Sequence, residues 1–559
     1  MLVSSSPAAE PPIAATVSAL AELAPPAPIE RLPCAVTAFV GRALKGPLHT
    51  ATPVGSFAEF QQLFGGLWQP AMLGYAVEQF FDNGGRSAII VRVANGARAP
   101  TLRLAAGSGE LLLQGRHPGT REYLRASVDY DGIGSEDTDQ FNLVLQRLRV
   151  PDSEHIEDQE IIRRVSVWPH AERCVERALA RSRLVRQAGP LPSERPDRTL
   201  SRHVGELVGY VSANTDGADG TDLTDYDLIG NENTGTGLFA LRAAPRWDLL
   251  CVPPLSRRQD VGITTLLVAA RLCRARRALL VVDPPLSWNS VEAALAGASQ
   301  WAFHSEDALM YFPRVRTLDR LRGRMELFAS CGAAAGLIAR GDEANPPWVA
   351  AAGETPLLRA SYRLPFPLDE GQRAQLAQAG VNCFDTLRPA YGAVRSARTL
   401  LPETAARGEW RYLPARRLSL WLQACILEGT RWTRLVPAGP AQWERVREQV
   451  EQFLDGLAHG GAFAGRDAQE SYFVICDARL NSPTAVALGD CSLLFGFAAW
   501  RAGDFQCHLV THEKIRSRVR AVTINRLATS GERVAEEIET AILRQLVMPV
   551  SSAPAIAPH

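Results

Sequence analysis

The sequence has no excess of charge of either sign and almost no lysine. Its 559 residues carry 60 lysines and arginines against 60 aspartates and glutamates, and Lys45 and Lys514 are the only lysines. Binding to nucleic acid needs a basic surplus on at least one face, and the balanced total gives no sign of one. Low net charge instead favours a chain that packs against copies of itself, because repulsion between copies is then small.

Long apolar runs and paired cysteine motifs are missing as well. No stretch reaches the roughly 18 apolar residues that a membrane-spanning helix needs, and the first residues lack the regions of a secretory signal. The ten cysteines form no CxxC pair and no cluster with histidine. We therefore expect free thiols in a reducing compartment, synthesis in the cytoplasm, no zinc, and no direct contact with a membrane or nucleic acid.

A chain of this length exceeds one ordinary core, and its composition changes along its length. A first stretch rich in alanine, proline and serine is typical of an extended arm. Strands that alternate with helices predict a parallel sheet, and short strands between Gly/Asp-rich turns predict a β-rich region. The fold class is thus α/β, with α and β mixed. Five regions follow: an N-terminal arm at 1–34, an α/β domain at 35–100 and 205–400, a β-rich insertion at 101–204, a C-terminal domain at 401–512, and a C-terminal arm at 513–559.

Several single elements have clear sequence signals. Ser56 and Glu59 form a capping-box pattern at the start of a helix. Residues 415–429 predict a helix, and Pro440 marks the start of a second one. Between them RWTRLVP (431–437) predicts a strand.

Motifs for catalysis are scarce. The chain has no GxSxG, no GxxxxGK[ST] and no HExxH. GTGLFA (235–240) resembles a dinucleotide-binding turn, but no strand is predicted before it. Asp283 ends the strand ALLVVD, where doubly wound enzymes place acidic residues, and this keeps an enzyme as one alternative.

The sequence gives no stronger signal for a metal site than for a catalytic site. The loop 215–227 carries Asp216, Asp219, Asp222, Asp225 and Asp227, but their spacing differs from that of an EF-hand and also suits ordinary turns. His508 and His512 lie in a predicted strand and point the same way along it. We expect no metal, no cofactor and no catalytic residue.

The order of several motifs resembles the tail sheath proteins of contractile bacteriophages. AFVGRALKGPLHTATPVGSFAEFQQLFGG followed by YAVEQFFDNGGRSAIIVRVA (38–94) is similar to the opening of that family. The resemblance continues in the same order through the stretches 219–241, 311–316, 331–354, 379–387 and 416–465. It is weakest across 100–200, and it does not extend to the segment 513–559.

The resemblance implies a structural subunit of a contractile injection machine, such as a phage tail, a tailocin or a cellular injection system. Such subunits stack as hexameric rings around an inner tube and contract to drive it through an envelope. The implied partners are other copies of the chain, an inner tube protein, and baseplate and cap proteins. The subunit would be made in the cytoplasm and become part of the assembled particle.

The same resemblance implies that the domain 401–512 faces the tube. The candidate tube-facing residues are the charged side chains of its two helices: Arg416, Arg417, Glu444, Arg445, Arg447, Glu448 and Glu451. Ion pairs between exposed helix residues are weak one by one, but they are repeated in every subunit.

The two arms are candidates for contacts between subunits. Residues 1–33 are expected to pack poorly on their own chain, with residues near 20–33 contacting another subunit. At the other end, RVRAVTINRL (518–527) alternates like a strand and is predicted to join a neighbour's sheet, or alternatively its own. The predicted exchange residues are Val519, Ala521, Val522, Thr523, Ile524 and Asn525.

A helix at 531–547 follows this strand and departs from the resemblance. We expect it to dock through Val534, Ile538, Ala541, Ile542 and Leu546 on a nearby surface. It also leaves open a second alternative, a tail terminator or baseplate ring protein with a sheath-like fold.

Overall fold

The computed structural model describes residues 27–151, 153–200, 209–348, 358–384, 397–404 and 408–522. The chain divides into two units. One, the α/β unit, comprises Ala35–Ala344 and Ala351–Ala405, and the other, the C-terminal unit, comprises Met1–Cys34, Asn345–Ala350 and Ala406–His559.

The described part of the α/β unit contains sixteen strands and eight α-helices. The strands are β1 (Thr37–Gly41), β2 (Thr52–Val54), β3 (Ala88–Arg92), β4 (Thr101–Ala106), β5 (Gly109–Gly115), β6 (Tyr123–Asp129), β7 (Gln140–Leu148), β8 (Ile156–Ser166), β9 (Val185–Gln187), β10 (Val211–Ser212), β11 (Leu249–Cys251), β12 (Leu279–Val282), β13 (Ala308–Phe312), β14 (Val315–Asp319), β15 (Arg324–Phe328) and β16 (Asn382–Cys383). The helices are α1 (Phe57–Phe64), α2 (Leu73–Asp82), α3 (Val175–Ala180), α4 (Asp225–Ile229), α5 (Ile263–Arg276), α6 (Val291–Ser299), α7 (Cys331–Ala344) and α8 (Glu370–Gln378).

A seven-stranded sheet forms the centre of this unit. Its order is β16-β13-β12-β11-β1-β3-β2, and every pairing is parallel except that of β2 with β3. Ala38 of β1 lies opposite Ile89 on one side and Leu250 on the other. Runs such as AIIV in β3 and LLVV in β12 are apolar throughout because helices cover both faces of a parallel sheet.

Helices pack on each face of the sheet. On one face Val40 and Leu280 share a core with Leu266 of α5, Ala294 of α6 and Leu376 of α8. On the other face the ring of Phe39 meets that of Phe80 in α2 edge-on, with centroids 5.5 Å apart. The Cys251 thiol there donates to the carbonyl of Cys331, the first residue of α7, at 3.6 Å. This confirms the predicted α/β class.

The capping signal before α1 is confirmed in part. The Ser56 hydroxyl accepts a hydrogen bond from the Glu59 N–H at 3.1 Å, as a capping box requires. The Glu59 carboxylate, however, accepts from the N–H of Gly55 at 2.7 Å and not from that of Ser56. The start of α1 is therefore held by two side chains that satisfy otherwise free backbone donors.

The described residues between 101 and 212 form two antiparallel sheets of their own. Their orders are β10-β6-β7-β8 and β4-β5-β9. Alternate residues of β4 are buried, and Leu102, Leu111 and Phe141 belong to one core between the sheets. An ion pair ties this region to the loop after β1, with Lys45 Nζ 2.8 Å from the Glu157 carboxylate of β8.

The described part of the C-terminal unit contains a four-stranded antiparallel sheet and two long helices. Its helices are α9 (Leu413–Gly429), α10 (Pro440–His459), α11 (Ala468–Ser471) and α12 (Pro483–Leu488), and its strands are β17 (Tyr472–Ile475), β18 (Cys491–Phe497), β19 (Gln506–His512) and β20 (Ser517–Val522). The strand order is β17-β18-β19-β20. Leu422 of α9, Val450 of α10 and Phe495 of β18 belong to a single core.

The predicted strand at 431–437 is wrong. Residues Arg431–Leu435 form a 3-10 helix between α9 and α10. The Thr433 hydroxyl donates to the carbonyl of Thr430 at 2.8 Å, and the Trp432 indole donates to Gln449 Oε1 at 3.0 Å. These local bonds satisfy polar groups of the segment without a partner strand.

Candidate functional site

The outer face of α10 carries a row of charged side chains. The helix begins at Pro440, directly after Gly439, and its inner face packs Val446, Val450 and Leu454 into the core. With 3.6 residues per turn, the opposite face presents Glu444, Arg447, Glu448 and Glu451.

Arg447 lies between two carboxylates on this face. Its guanidinium is 3.9 Å from an oxygen of Glu444 and 3.9 Å from one of Glu451, so both contacts are long ion pairs. Partial burial raises the pKa of Glu451, and Glu448 adds to this while Arg447 opposes it. Three carboxylates outnumber the one guanidinium, and the face is acidic.

The other candidate arginines of these helices differ in exposure. The Arg445 guanidinium lies over the ring of Trp432, 5.1 Å from its centroid, and Arg417 is half-buried. Arg416 is only 7% exposed and lies 4.9 Å from the ring centroid of Trp410. This burial argues against Arg416 as a tube-facing residue, because α9 packs it inside the unit, and the tube-facing role of the whole set stays a prediction.

The end of the N-terminal arm packs on its own chain. Ile29 is 7% exposed and belongs to the core of the C-terminal unit. The Trp421 indole N–H donates to the carbonyl of Leu32 at 2.9 Å, and the Gln449 amide donates to that of Ala27. The expectation that residues up to 33 pack poorly on their own chain is therefore wrong for 27–33. Residues 1–26 lie outside the described part of the chain.

The strand β20 pairs with its own sheet. Val519 lies opposite Val510 of β19 and Val522 opposite Cys507, in an antiparallel register. Glu513 connects the two strands through ion pairs with Arg516 and Arg518. This is the alternative pairing that the sequence left open, and exchange of Val519, Ala521 and Val522 with another copy of the chain stays a prediction. Thr523, Ile524, Asn525 and the helix 531–547 lie outside the described residues.

Two histidines link β19 to the helical layer. His508 Nε2 lies 3.2 Å from the Ser419 hydroxyl of α9, and His512 Nε2 lies 2.8 Å from that of Thr430. His512 Nδ1 lies 2.8 Å from the Ser517 hydroxyl. Burial, with Arg416 nearby, lowers the pKa of His508 to about 3. Burial, with Arg434 and Arg431 nearby, lowers that of His512 to about 4. Both rings are neutral structural links at pH 7.

Asp283, the residue that kept the enzyme alternative open, is enclosed. Its Oδ1 accepts hydrogen bonds from the N–H groups of Ser330 at 2.6 Å and Cys331 at 2.7 Å, at the start of α7. Burial raises the pKa of this carboxyl, and Arg314 opposes the rise. Asp283 acts as a helix cap, which accounts for its position without any substrate.

The aspartates of the loop 215–227 serve as separate links. Each has its own partner: Asp216 with Thr101, Asp219 with Thr120, Asp222 with Arg42, Asp225 with Thr265, and Asp227 with Thr224. Over the described ranges, no three His, Cys, Asp or Glu side chains are grouped so as to hold a metal ion. GTGLFA belongs to the 3-10 helix Gly237–Arg242 and the turn before it, which follow α4 and not a strand.

One exposed feature was not predicted from the sequence. The hairpin formed by β14 and β15 exposes Leu318, Leu321, Met325 and Leu327. The signal in the sequence is a set of apolar residues spaced two to four positions apart around Arg322-Gly323. No helix of the described chain has both the length and the apolar character needed to cross a membrane.

Comparison with known proteins identifies the fold. No family profile and no curated protein sequence matches the chain. Among solved structures, the sheath of an extracellular contractile injection system (PVC) in its contracted state matches with a TM-score of 0.50 and 14% identity, over 95% of this chain and 100% of that one. The chain has the fold of a contractile tail sheath protein. A sheath tail protein from Listeria innocua matches with a TM-score of 0.55 and 12% identity, over 86% of this chain and 95% of that one.

Proposed function

We propose that the chain is a sheath subunit of a contractile injection machine and has a structural role, not an enzymatic one. The observation that carries this proposal is the extent of the sheath-like fold, which covers 95% of the chain and all of the PVC sheath protein. A fold alone does not fix a function, so the sites must agree with it. Here the residue best suited to catalysis, Asp283, is used as a helix cap.

In this proposal copies of the chain stack as hexameric rings around an inner tube, and contraction of the stack drives the tube forward. A helical stack needs an interface that does not close on itself, so that each ring can recruit the next. Other partners would be baseplate and cap proteins at the two ends. The chain would be made in the cytoplasm and function in the assembled particle.

The acidic face of α10 is our candidate for the contact with the inner tube. This face carries a solvated row of charges formed by Glu444, Arg447, Glu448 and Glu451. A ring of six copies would present the row six times. Each exposed pair contributes only tenths of a kcal/mol, which lets the contact form and release as the sheath moves. We expect the tube to present a basic surface opposite this row.

Electron microscopy of the full-length protein tests the proposal. Expressed alone or with its inner tube protein, the chain should form hollow striated cylinders of stacked rings. A protein that forms single rings which never stack would be a terminator or baseplate ring instead. A monomer at all concentrations, with and without tubes, would contradict both assembly roles.

A further inference from the structure

A surface cavity lies where the β-rich region meets the loops that follow β1 and β3. Its volume is about 610 Å³, within the range of about 300–1,000 Å³ that small-molecule sites occupy. Five separate segments line it: the loop between β1 and β2 (47–50), the connection from β3 to the start of β4 (97–101), the end of β5 with the residues after it (114–118), Arg186 of β9, and Asp216. Because these segments lie far apart in the chain, no local pattern in the sequence predicts the cavity.

The charged side chains of the cavity wall are mostly basic. Arg98, Arg116 and Arg186 line it, and Asp216 is the one carboxylate among the described lining residues. Both oxygens of Asp216 are already engaged, because they accept hydrogen bonds from the N–H of Thr101 at 2.9 Å and from its hydroxyl at 2.7 Å. Three guanidinium groups against one carboxylate leave the wall with a net positive charge.

The ring of His117, which also lines the cavity, does not change this balance. Burial, together with the nearby Arg147, Arg92 and Arg116, lowers its pKa to about 4. The ring is therefore neutral at pH 7, and it supplies one donor and one acceptor without adding charge. Carboxylates close to these arginines have partners of their own: Glu122 with Arg147, Asp219 with Thr120, and Glu110 with Arg103.

Two of the three arginines keep donors available to a ligand. Within the described chain the exposed side chain of Arg98 makes no hydrogen bond or ion pair. Its backbone is held in place, since its N–H donates to the carbonyl of Ala218 at 2.9 Å and its carbonyl accepts from Gly119 at 3.0 Å. The exposed Arg186 donates only to Gln114 Oε1, at 3.0 Å from Nε and 2.6 Å from Nη2. A guanidinium offers five N–H donors in a flat fork that matches phosphate and carboxylate groups.

The third arginine, Arg116, is fixed by the backbone around the end of α3. Its Nε donates to the carbonyls of Ser182 at 3.0 Å and Val185 at 3.2 Å, and its Nη2 donates to those of Leu179 at 3.1 Å and Ala180 at 2.9 Å. Four neutral carbonyls orient the group without cancelling its charge. Arg116 therefore contributes a positive charge that is in position before any ligand arrives.

We propose that this cavity is a binding site for a small polyanion, a molecule that carries two or more phosphate or carboxylate groups. Arg98 and Arg186 would donate hydrogen bonds to the anionic groups, and Arg116 would add its fixed charge. A cleft lined by one sign of charge attracts small ligands of the opposite sign. No Phe, Tyr or Trp belongs to its described lining, so the ligand is held by its charge and not by stacking of an aromatic ring. The proposal does not rest on the sheath function.

Isothermal titration calorimetry of the full-length chain at low ionic strength tests the site, with inorganic triphosphate and citrate as the probes. We expect at least one of them to bind at one site per chain, about tenfold or more tightly than orthophosphate, because a single anionic group reaches fewer arginines. Binding of triphosphate alone would identify the ligand's groups as phosphates, and binding of citrate alone as carboxylates. Equal affinity for orthophosphate, or no binding of either probe, would overturn the proposal.

Variants separate the cavity from surface charge in general. Arg98→Gln with Arg186→Gln should weaken binding about tenfold or more, whereas Arg163→Gln with Arg181→Gln, at two exposed positions of the β-rich region outside the lining, should not. Since all four side chains are exposed, the melting temperature should stay within a few degrees. Ala99→Phe fills part of the cavity without changing its charge and should also weaken binding. Unchanged affinity in Ala99→Phe, or an equal loss in both arginine pairs, would mean that the probe binds to diffuse surface charge, and the proposal would be overturned.

Discussion

The indole N–H of Trp421 donates a hydrogen bond to the carbonyl of Leu32, 2.9 Å away and 389 residues earlier in the chain. Ile29 lies beside it against Gly429, where a Cβ would stand 2.7 Å from Ile29 Cγ1. Glycine at 429 is therefore needed for the close approach of this segment to α9. The last residues of the N-terminal arm thus contribute to the core of the C-terminal unit.

We predict that Ile29→Ala destabilises the C-terminal unit by about 2–4 kcal/mol, because it leaves a cavity among α9 and α10. Deleting residues 1–33 should lower the melting temperature measured by calorimetry, whereas deleting residues 1–26 should not. The matched control is Ile161→Ala, since Ile161 is half exposed. Equal melting temperatures for the two deletions would mean that the packing of 27–33 contributes nothing.

Prediction from sequence succeeded where the signal is local and periodic. The apolar run SAIIVRV gave β3, and Pro440 marked the first residue of α10. It failed at 431–437, where local hydrogen bonds hold a 3-10 helix in place of the predicted strand. At 518–522 the strand itself was predicted, whereas the sheet that it joins depends on which partner is available; in the described chain it pairs with β19.

The candidate site was predictable to a similar degree. Glu444, Arg447, Glu448 and Glu451 share a face because helical spacing alone puts them there. Burial of Arg416 could not be foreseen, because it depends on the ring of Trp410 and on the packing of α9 from several sides at once. The role of Asp283 was equally hidden, since the helix that it caps begins 48 residues later.

The pairing of β20 with β19 yields a second prediction. Val522 is 6% exposed and packs with Leu494, Cys507 and Leu509. We predict that Val522→Asp lowers the free energy of unfolding of the unassembled chain by a few kcal/mol, because it buries a charge without a partner. Ala521→Asp is the control, since Ala521 is exposed on the same strand. Denaturant unfolding measures the difference, and similar midpoints for the two variants would contradict the assigned register.

Asp283 gives a third prediction. Asp283→Ala removes the acceptor of two buried N–H groups at the start of α7 and should cost about 2–4 kcal/mol. Asp283→Asn keeps a carbonyl oxygen of nearly the same shape and should cost less. Hydrogen exchange of the backbone N–H groups of Ser330 and Cys331 should be faster in Asp283→Asn than in the unmodified protein, and fastest in Asp283→Ala. If the two variants behaved alike, Asp283 would not act as a cap.

The two buried histidines make the stability depend on pH. In the unfolded chain they take up protons as the pH falls through 6.5, but in the folded chain only near pH 4 for His512 and pH 3 for His508. The contribution of these two histidines to the free energy of unfolding is therefore complete above pH 6.5. It is lost as the pH falls toward 4, by up to about 1.4 kcal/mol per pH unit for each histidine.

The fourth prediction, the pH dependence of stability, is tested by comparing the urea midpoints of unfolding at pH 7 and pH 5. His508→Asn with His512→Asn should make the midpoint less dependent on pH, while His155→Asn, at an exposed position, should not. Arg416 and the pair Arg431 and Arg434 are the charged groups that oppose protonation of the two rings. The same pH dependence in all three proteins would rule out the histidines as its source.

The last prediction concerns the acidic face of α10. Glu444→Arg with Glu448→Arg reverses the sign of the row without touching its buried side, so the fold should persist. If the face meets a basic tube surface, binding to the inner tube protein should weaken several-fold at 50 mM salt and approach the unmodified value at 500 mM, because salt screens exposed charges. Glu154→Arg, at an exposed position in the β-rich region, is the matched control and should leave binding unchanged. Binding measured by co-sedimentation with assembled tubes decides between the possibilities. A loss of binding that is the same at both salt concentrations would mean that the substitutions act through shape and not through charge, and the electrostatic contact would then be rejected.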